Sequence, residues 1–337
     1  MSEVNRQIIL RRTARGMPVA EDFELVQQPI PQPGEGEVLV RTIYLSLDPY
    51  MRGRMGNAEA VGQTLVGGVV GQVVASRHPH FHEDQFVCQY VGGYGWQSHG
   101  VAPGAELRVL DPGLVPMSTT LGVAGMPGVS AYFGLLEVGK PVAGETVVVS
   151  AASGAVGAVV GQLAKMKSCR AVGIAGTDEK CRYIVEELGF DAAINYRTED
   201  LAAALAKACP NGIDVYFDNV GGPVLDAVMA QISAGTRIVL CGSIAEYNEP
   251  IGQRQGPRLN RFVQGGLARM EGFNQGQYRD RHEEALALLA MWVRSGKLKY
   301  KEDIVVGLEK APEAFIGMMQ GKNFGKALVQ VSDDPTR

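Results

Sequence analysis

The strand–turn–helix pattern at residues 147–157 constrains the fold of this chain more than any other feature. Three valines and Ser150 are followed by small residues that include the spacing Ala152-x-Gly154-x-x-Gly157. This is the dinucleotide-binding fingerprint with alanine in place of its first glycine. Small residues are required there because a pyrophosphate approaches the backbone and rests on the N-terminus of the helix. On its own, the pattern also fits a tight turn between a strand and a helix.

The residues after this turn favour the dinucleotide-binding interpretation. Buried-strand runs alternate with stretches of helical periodicity, a pattern typical of a parallel sheet covered on both faces. We predict strands at residues 146–149, 171–174, 192–195, 215–217 and 238–240, and helices at 156–167, 179–188, 225–232 and 282–294. The predicted fold is doubly wound α/β, with ligands at the carboxyl ends of the strands.

Residues 1–125 predict a second, β-rich domain. Short apolar runs at 37–43 and 66–74 lie between glycines and prolines, as is typical of a compact barrel-like domain of short strands. The stretch 323–331 also predicts a strand, and we expect it to return to this domain. A length of 337 residues agrees with two domains.

The composition argues against several classes of function. A net charge of −4 without a basic block argues against nucleic-acid binding. Apolar runs stay below the roughly 20 residues of a membrane-spanning helix, so no membrane partner is expected. The polar N-terminus is unlike a signal peptide, so we expect a cytoplasmic protein. The five cysteines are scattered without a C-x-x-C pair, which favours reduced thiols.

Neither a metal site nor a serine hydrolase site is predicted. His78, His80 and His82 alternate, so a strand could place three imidazoles on one side, but Pro79 and the polar neighbours favour an exposed loop. A catalytic zinc needs three convergent protein ligands, and the remaining histidines have no partners nearby in the sequence. The sequence also contains no G-x-S-x-G nucleophile elbow.

The end of the second predicted strand indicates which dinucleotide binds. NAD-binding chains usually carry an acid here, which hydrogen-bonds the ribose 2′-hydroxyl. This chain instead has Ala175 and Gly176, which leave room, and Lys180, which offers a positive charge to a 2′-phosphate. Asp178 complicates the assignment, although it could cap the next helix. NADP is therefore favoured, with an ordinary solvated lysine as the alternative for Lys180.

Ordered motifs along nearly the whole chain resemble the zinc-independent medium-chain dehydrogenase/reductases. The similarity is greatest to the branch of the prostaglandin reductases, curcumin reductases and plant double-bond reductases. The motifs are residues 47–52 (Leu-Asp-Pro-Tyr-Met-Arg), 125–132 (Gly-Met-Pro-Gly-Val-Ser-Ala-Tyr), 153–157, 176–180, 217–222, 240–244 and 321–326. The resemblance implies a GroES-like substrate and catalytic domain (1–125 and 298–337), a Rossmann NADP-binding domain (126–297), and a homodimer.

The resemblance also implies roles for particular residues. Met126 would lie by the nicotinamide, and Tyr50 would face the substrate. The residues implied for NADPH are Gly154, Ala155, Val156 and Gly157 at the pyrophosphate, Gly176, Lys180 and Tyr196 around the 2′-phosphate, and Asn219, Cys241, Gly242, Ser243, Tyr247 and Asn323 along the rest. Structural alternatives stay open: Tyr196 could end a strand, Asn219 form a turn, Cys241 fill the core, and Tyr50 be a packed ring.

The implied reaction is hydride transfer from NADPH to the β-carbon of an α,β-unsaturated ketone or aldehyde. Negative charge then develops on the carbonyl oxygen, which needs hydrogen-bond donors; Tyr50 and a cofactor ribose hydroxyl are candidates. Several relatives carry a further tyrosine before an Arg-Met-Glu strand, but residues 260–271 contain none. An NADPH:quinone reductase and a non-catalytic NADPH-binding sensor are the alternative functions.

Overall fold

The computed structural model describes residues 4–90, 92–249 and 256–337. The strands are β1 (Asn5–Leu10), β2 (Phe23–Gln28), β3 (Glu37–Ser46), β4 (Val69–Ser76), β5 (Phe86–Gln89), β6 (His99–Pro103), β7 (Arg108–Val109), β8 (Thr146–Ser150), β9 (Arg170–Ala175), β10 (Ala192–Asn195), β11 (Ile213–Asp218), β12 (Ile232–Leu240), β13 (Arg269–Gly272), β14 (Glu302–Val306) and β15 (Lys326–Gln330). The α-helices are α1 (Met51–Arg54), α2 (Met126–Phe133), α3 (Gly157–Met166), α4 (Asp178–Arg182), α5 (Leu201–Ala208), α6 (Gly222–Met229), α7 (Leu259–Gly265), α8 (His282–Arg294) and α9 (Ala311–Met319).

The chain divides into two compact units. The first contains Met1–Met126 and Glu302–Arg337, and the second contains Pro127–Lys301. Among the described residues, no helix combines the length and apolar character needed to cross a membrane.

The first unit is built on the long strand β3. β4 pairs antiparallel with β3, whose other edge binds β6 near its beginning and β15 near its end. β5 and β7 extend the sheet beyond β4, and β14 extends it beyond β15 by parallel pairing. β3 is almost continuously buried, as expected for a strand between two neighbours. The last strand of the chain therefore returns to this sheet.

The second unit is a six-stranded parallel sheet in the order β10-β9-β8-β11-β12-β13. This is a doubly wound arrangement, in which the strand order reverses between β8 and β11. All five residues of β8 are buried, which explains its continuous apolar sequence. The mixed sheet and the parallel sheet together confirm the predicted α/β fold class.

One helix differs from its prediction by about a turn. Helical periodicity suggested residues 225–232, whereas α6 spans Gly222–Met229 and Ile232 already begins β12. Pro223 lies in the first turn of α6, where its missing N–H costs nothing and its φ is suitable for a helix. The apolar residues after Met229 fit a strand as well as a helix, so periodicity alone could not locate this end.

Candidate functional site

In the turn between β8 and α3, two backbone segments lie very close together. Ala151 has a positive φ of 48°, and a Cβ on Gly157 would lie 2.4 Å from the Ala151 carbonyl oxygen. Only glycine fits there, because real Cβ contacts of that length do not occur. Gly154, Ala155 and Val156 are partly exposed just before the first turn of α3. This cradle of small residues at a helix N-terminus fits the pyrophosphate of a dinucleotide.

A buried carboxylate organises the edge where the strand order reverses. Asp218, 1% exposed, ends β11 and accepts hydrogen bonds from the hydroxyls of Ser150 (2.9 Å) and Tyr216 (2.8 Å). It also accepts from the backbone N–H groups of Val220 (2.9 Å) and Gly221 (3.0 Å). The loop after β11 is therefore fixed by hydrogen bonds to this carboxylate.

Asn219 is held in this loop by the neighbouring strand. Its backbone N–H donates to the Ser150 hydroxyl and its side-chain amide donates to the Ser150 carbonyl, both at 2.8 Å. Sequence reasoning found Asn219 but missed Ser150 and Asp218. The available signal was a polar residue at the end of each of two apolar strands.

The loop after β12 begins beside the same carboxylate. The N–H groups of Cys241 and Gly242 donate to the Asp218 carbonyl at 2.9 and 3.1 Å. Burial and the nearby Asp218 raise the pKa of the Cys241 thiol to about 12. A raised pKa disfavours the thiolate, which is the nucleophilic form of cysteine. Tyr247 turns back toward this loop, since the Ser243 N–H lies 3.5 Å from its hydroxyl.

The ends of β9 and β10 bring together Gly176 and Tyr196, two of the residues predicted around a 2′-phosphate. A Cβ on Gly176 would lie 3.1 Å from Cε1 and 3.2 Å from the hydroxyl of Tyr196. Tyr196 is 43% exposed, and α4, which carries Lys180, packs against both β9 and β10. Arg197 was missed by sequence reasoning. Its Nε lies 3.4 Å from the Tyr196 hydroxyl and its guanidinium 5.7 Å from the ring centroid.

Asp178 does not cap α4, contrary to the alternative considered for it. The cap is Thr177, whose hydroxyl accepts from the Lys180 N–H at 3.2 Å. The Asp178 carboxylate instead accepts a hydrogen bond of 2.6 Å from the side-chain amide of Asn195. A threonine at this position is a preferred cap, which leaves the acid for another contact.

The first unit contains Tyr50, Met126 and Asn323. Tyr50 precedes α1 and is 37% exposed. Burial of the phenol and the negative charge of Asp48 raise the Tyr50 pKa above its ordinary value, against a smaller opposing effect of a Gly92 backbone hydrogen bond. Met126 begins α2 and is partly buried. The Asn323 side chain donates to the Gly325 carbonyl at 2.8 Å, which shapes the segment before β15.

A buried ion pair connects this segment to the turn that carries Tyr50. The Lys326 ammonium donates to the Leu47 carbonyl and to the Asp48 carboxylate, each at 2.7 Å. The side chains of Lys326 and Asp48 are only 5% and 7% exposed. The other Asp48 oxygen accepts from the Ser46 hydroxyl. The turn from Leu47 to Tyr50 is thus fixed on both sides.

The three alternating histidines lie in the turn between β4 and β5. The His78 ring packs edge-on against Phe81 at 5.1 Å between centroids and lies 5.5 Å from the His80 ring. Across residues 4–90, 92–249 and 256–337, no group of three or more His, Cys, Asp or Glu side chains could hold a metal ion.

Comparison with known proteins places these features in a family. A profile described as "N-terminal domain of oxidoreductase" matches residues 6–110, and one described as "Zinc-binding dehydrogenase" matches residues 188–329. The NADPH-dependent curcumin reductase of Escherichia coli is 45% identical, over 98% of this chain and 98% of that protein. The NADP(+)-dependent 2-alkenal reductase of Nicotiana tabacum is 40% identical, over 97% and 98%. The crystal structure of CurA from Vibrio vulnificus in complex with NADPH has a TM-score of 0.90 and 45% identity, covering 98% of this chain and 100% of CurA.

Proposed function

We propose that this chain, which belongs to the medium-chain dehydrogenase/reductase family in the branch of the curcumin and 2-alkenal reductases, uses NADPH to reduce activated carbon–carbon double bonds. The substrates are α,β-unsaturated ketones and aldehydes. The relatives support an NADPH-dependent reductase of this type, and the narrower substrate class is our inference from their names and from the chemistry below.

The carboxyl edge of the parallel sheet would hold the cofactor. Residues 154–157 would receive the pyrophosphate, and Asn219 and the loop after β12 would contact the remainder. Lys180 and Tyr196 would bind the 2′-phosphate. The observation that carries this assignment is the position of Tyr196 directly beside Gly176, together with the hydrogen bond that holds Asp178 to Asn195. NAD sites place an acid here, which binds the ribose 2′-hydroxyl. In this chain a 2′-phosphate would instead receive charge-assisted hydrogen bonds.

The cofactor, when bound, supplies a hydride to the β-carbon of the substrate. The chain positions the substrate and stabilises the negative charge that develops on its carbonyl oxygen. Tyr50 would donate a hydrogen bond to that oxygen, because a tyrosine phenol is protonated at neutral pH. The α-carbon then takes a proton from water or from a tyrosine hydroxyl.

A screen of NADPH oxidation with enals, enones and simple quinones tests the proposal. We expect turnover with enals and enones, with a saturated carbonyl compound as product. Turnover restricted to quinones would indicate a quinone reductase. Tight NADPH binding without turnover on any acceptor would indicate a sensor protein.

A further inference from the structure

Asn195 is a buried residue directly before Tyr196, one of the two residues proposed for the 2′-phosphate. It ends β10 and is 4% exposed. Its Nδ2 donates to the Asp178 carboxylate at 2.6 Å, and its Oδ1 accepts from the Arg197 backbone N–H at 3.1 Å. One buried amide thus joins the acid after β9 to the turn after β10.

The hydrogen bond from Asn195 to Asp178 fixes the position of the Asp178 carboxylate. Asp178 follows Gly176 by two residues, near the place where NAD-binding chains use an acid for the 2′-hydroxyl. A free carboxylate there would repel a 2′-phosphate and bind a 2′-hydroxyl. The Asn195 amide instead ties the carboxylate to the end of β10.

The bond to Arg197 controls the turn that carries the phosphate-binding groups. A Cβ on Gly176 would lie 3.1 Å from Cε1 of Tyr196 and 3.4 Å from Nε of Arg197, so both side chains stand beside Gly176. The side-chain amide oxygen of Asn195 (Oδ1) accepts from the Arg197 N–H and so orients the backbone of this turn directly. An aspartate at position 195 could still accept from Arg197, but it would face Asp178 with a like charge.

We propose that Asn195 is a positioning residue for NADP selectivity, which fixes the Asp178 carboxylate at the end of β10 by occupying it with a hydrogen bond and orients the Tyr196–Arg197 turn beside Gly176. Asn195 acts through these neighbours and does not touch the phosphate itself. The inference rests on the proposed assignment of the 2′-phosphate to Lys180 and Tyr196.

Calorimetry with two cofactor fragments tests this role without turnover. The probes are 2′,5′-ADP, which carries the 2′-phosphate, and 5′-ADP, which lacks it. Asn195→Asp should weaken 2′,5′-ADP binding by about tenfold or more and leave 5′-ADP binding nearly unchanged. The Asp178→Asn, Asn195→Asp double variant should recover most of the loss, because the amide at 178 then donates to the carboxylate at 195.

The outcomes separate positioning from a general structural role. Equal weakening of both fragments, unchanged 2′,5′-ADP binding, or no recovery in the swap overturns the proposal. If Asn195→Asp does not fold, Asn195→Ala replaces it. Asp178→Ala in that background should recover part of the loss, since the freed carboxylate is gone, and no recovery again overturns the proposal. A wild-type protein that binds 2′,5′-ADP no better than 5′-ADP would instead contradict the cofactor assignment.

Discussion

A tyrosine phenol is protonated at neutral pH and can donate a hydrogen bond, and this defines the part we propose for Tyr50. Residues 260–271 offer no second tyrosine, so Tyr50 and the cofactor ribose are the proposed donors to the substrate oxygen. The competing interpretation is that Tyr50 belongs only to a turn and that its ring serves in packing. The two interpretations differ in whether the Tyr50 hydroxyl contributes to the reaction.

Tyr50→Phe should lower kcat with an enone about a hundredfold, because one donor to a developing oxyanion is worth roughly 2.7–4 kcal/mol at the strong end. The ring stays, so the melting temperature should be nearly unchanged. Steady-state kinetics and thermal melting of the same preparation check this. An unchanged kcat at unchanged stability would leave the ribose hydroxyl and water as the donors.

Lys180→Ala should weaken NADPH binding much more than NADH binding. A charge-assisted hydrogen bond to phosphate contributes roughly 1.5–3 kcal/mol. NADH lacks the 2′-phosphate and does not make this bond, so the substitution should not weaken its binding. The measurement is the Kd of each cofactor by fluorescence titration. Lys207→Ala, an exposed lysine in the last turn of α5, is the control and should change neither Kd. Equal losses for both cofactors would refute the 2′-phosphate assignment.

At the scale of elements, the proposed site depends on how strand ends are tied to one another. Asp218 at the end of β11 binds Ser150 at the end of β8, and Asn195 at the end of β10 binds Asp178 at the beginning of α4. In the first unit, Lys326 at the beginning of β15 binds the turn after β3. Each bond is made by a buried or partly buried polar group, where a missing partner costs more than the bond itself contributes.

Lys326→Met should destabilise the fold by about 3–5 kcal/mol, because it leaves the Asp48 carboxylate buried without its cation. Adding Asp48→Asn should recover a large part of that loss. Urea unfolding of the single and double variants measures both effects. Lys299→Met is the control, since its pair with Glu187 is 54% and 60% exposed and should contribute less than about 1 kcal/mol. If Lys326→Met lowers the free energy of unfolding as little as Lys299→Met does, the buried ion pair does not stabilise the fold as proposed.

At the scale of the whole molecule, the regular alternation of apolar strands with helices was enough to predict the parallel sheet. Short, continuously apolar runs between helices are typical of strands that are buried on both faces. β8 is such a strand. Long-range pairs were not predictable. Ser150 and Asp218 are 68 residues apart, and only the reversal of strand order puts β8 beside β11. The same holds for Asn195 and Asp178, because periodicity does not report which side chains meet at strand ends. The roles of the predicted site residues remain proposals.

Activity should survive exhaustive chelation, and elemental analysis should find substoichiometric zinc. The sequence contains no convincing ligand set for a catalytic zinc, which needs three protein ligands around one ion. Enone reduction is measured before and after dialysis against a strong chelator. Activity that is lost on chelation and restored by added zinc would contradict this expectation.

The most direct test of double-bond reduction uses NADPH with both hydrogens at the nicotinamide 4-position replaced by deuterium. With an enone as acceptor, mass spectrometry and NMR of the product should find a saturated ketone with one deuterium at the β-carbon and a solvent-derived proton at the α-carbon. Deuterium at the carbonyl carbon of an allylic alcohol, or oxidation of the cofactor without its deuterium reaching the β-carbon, would contradict the proposed function.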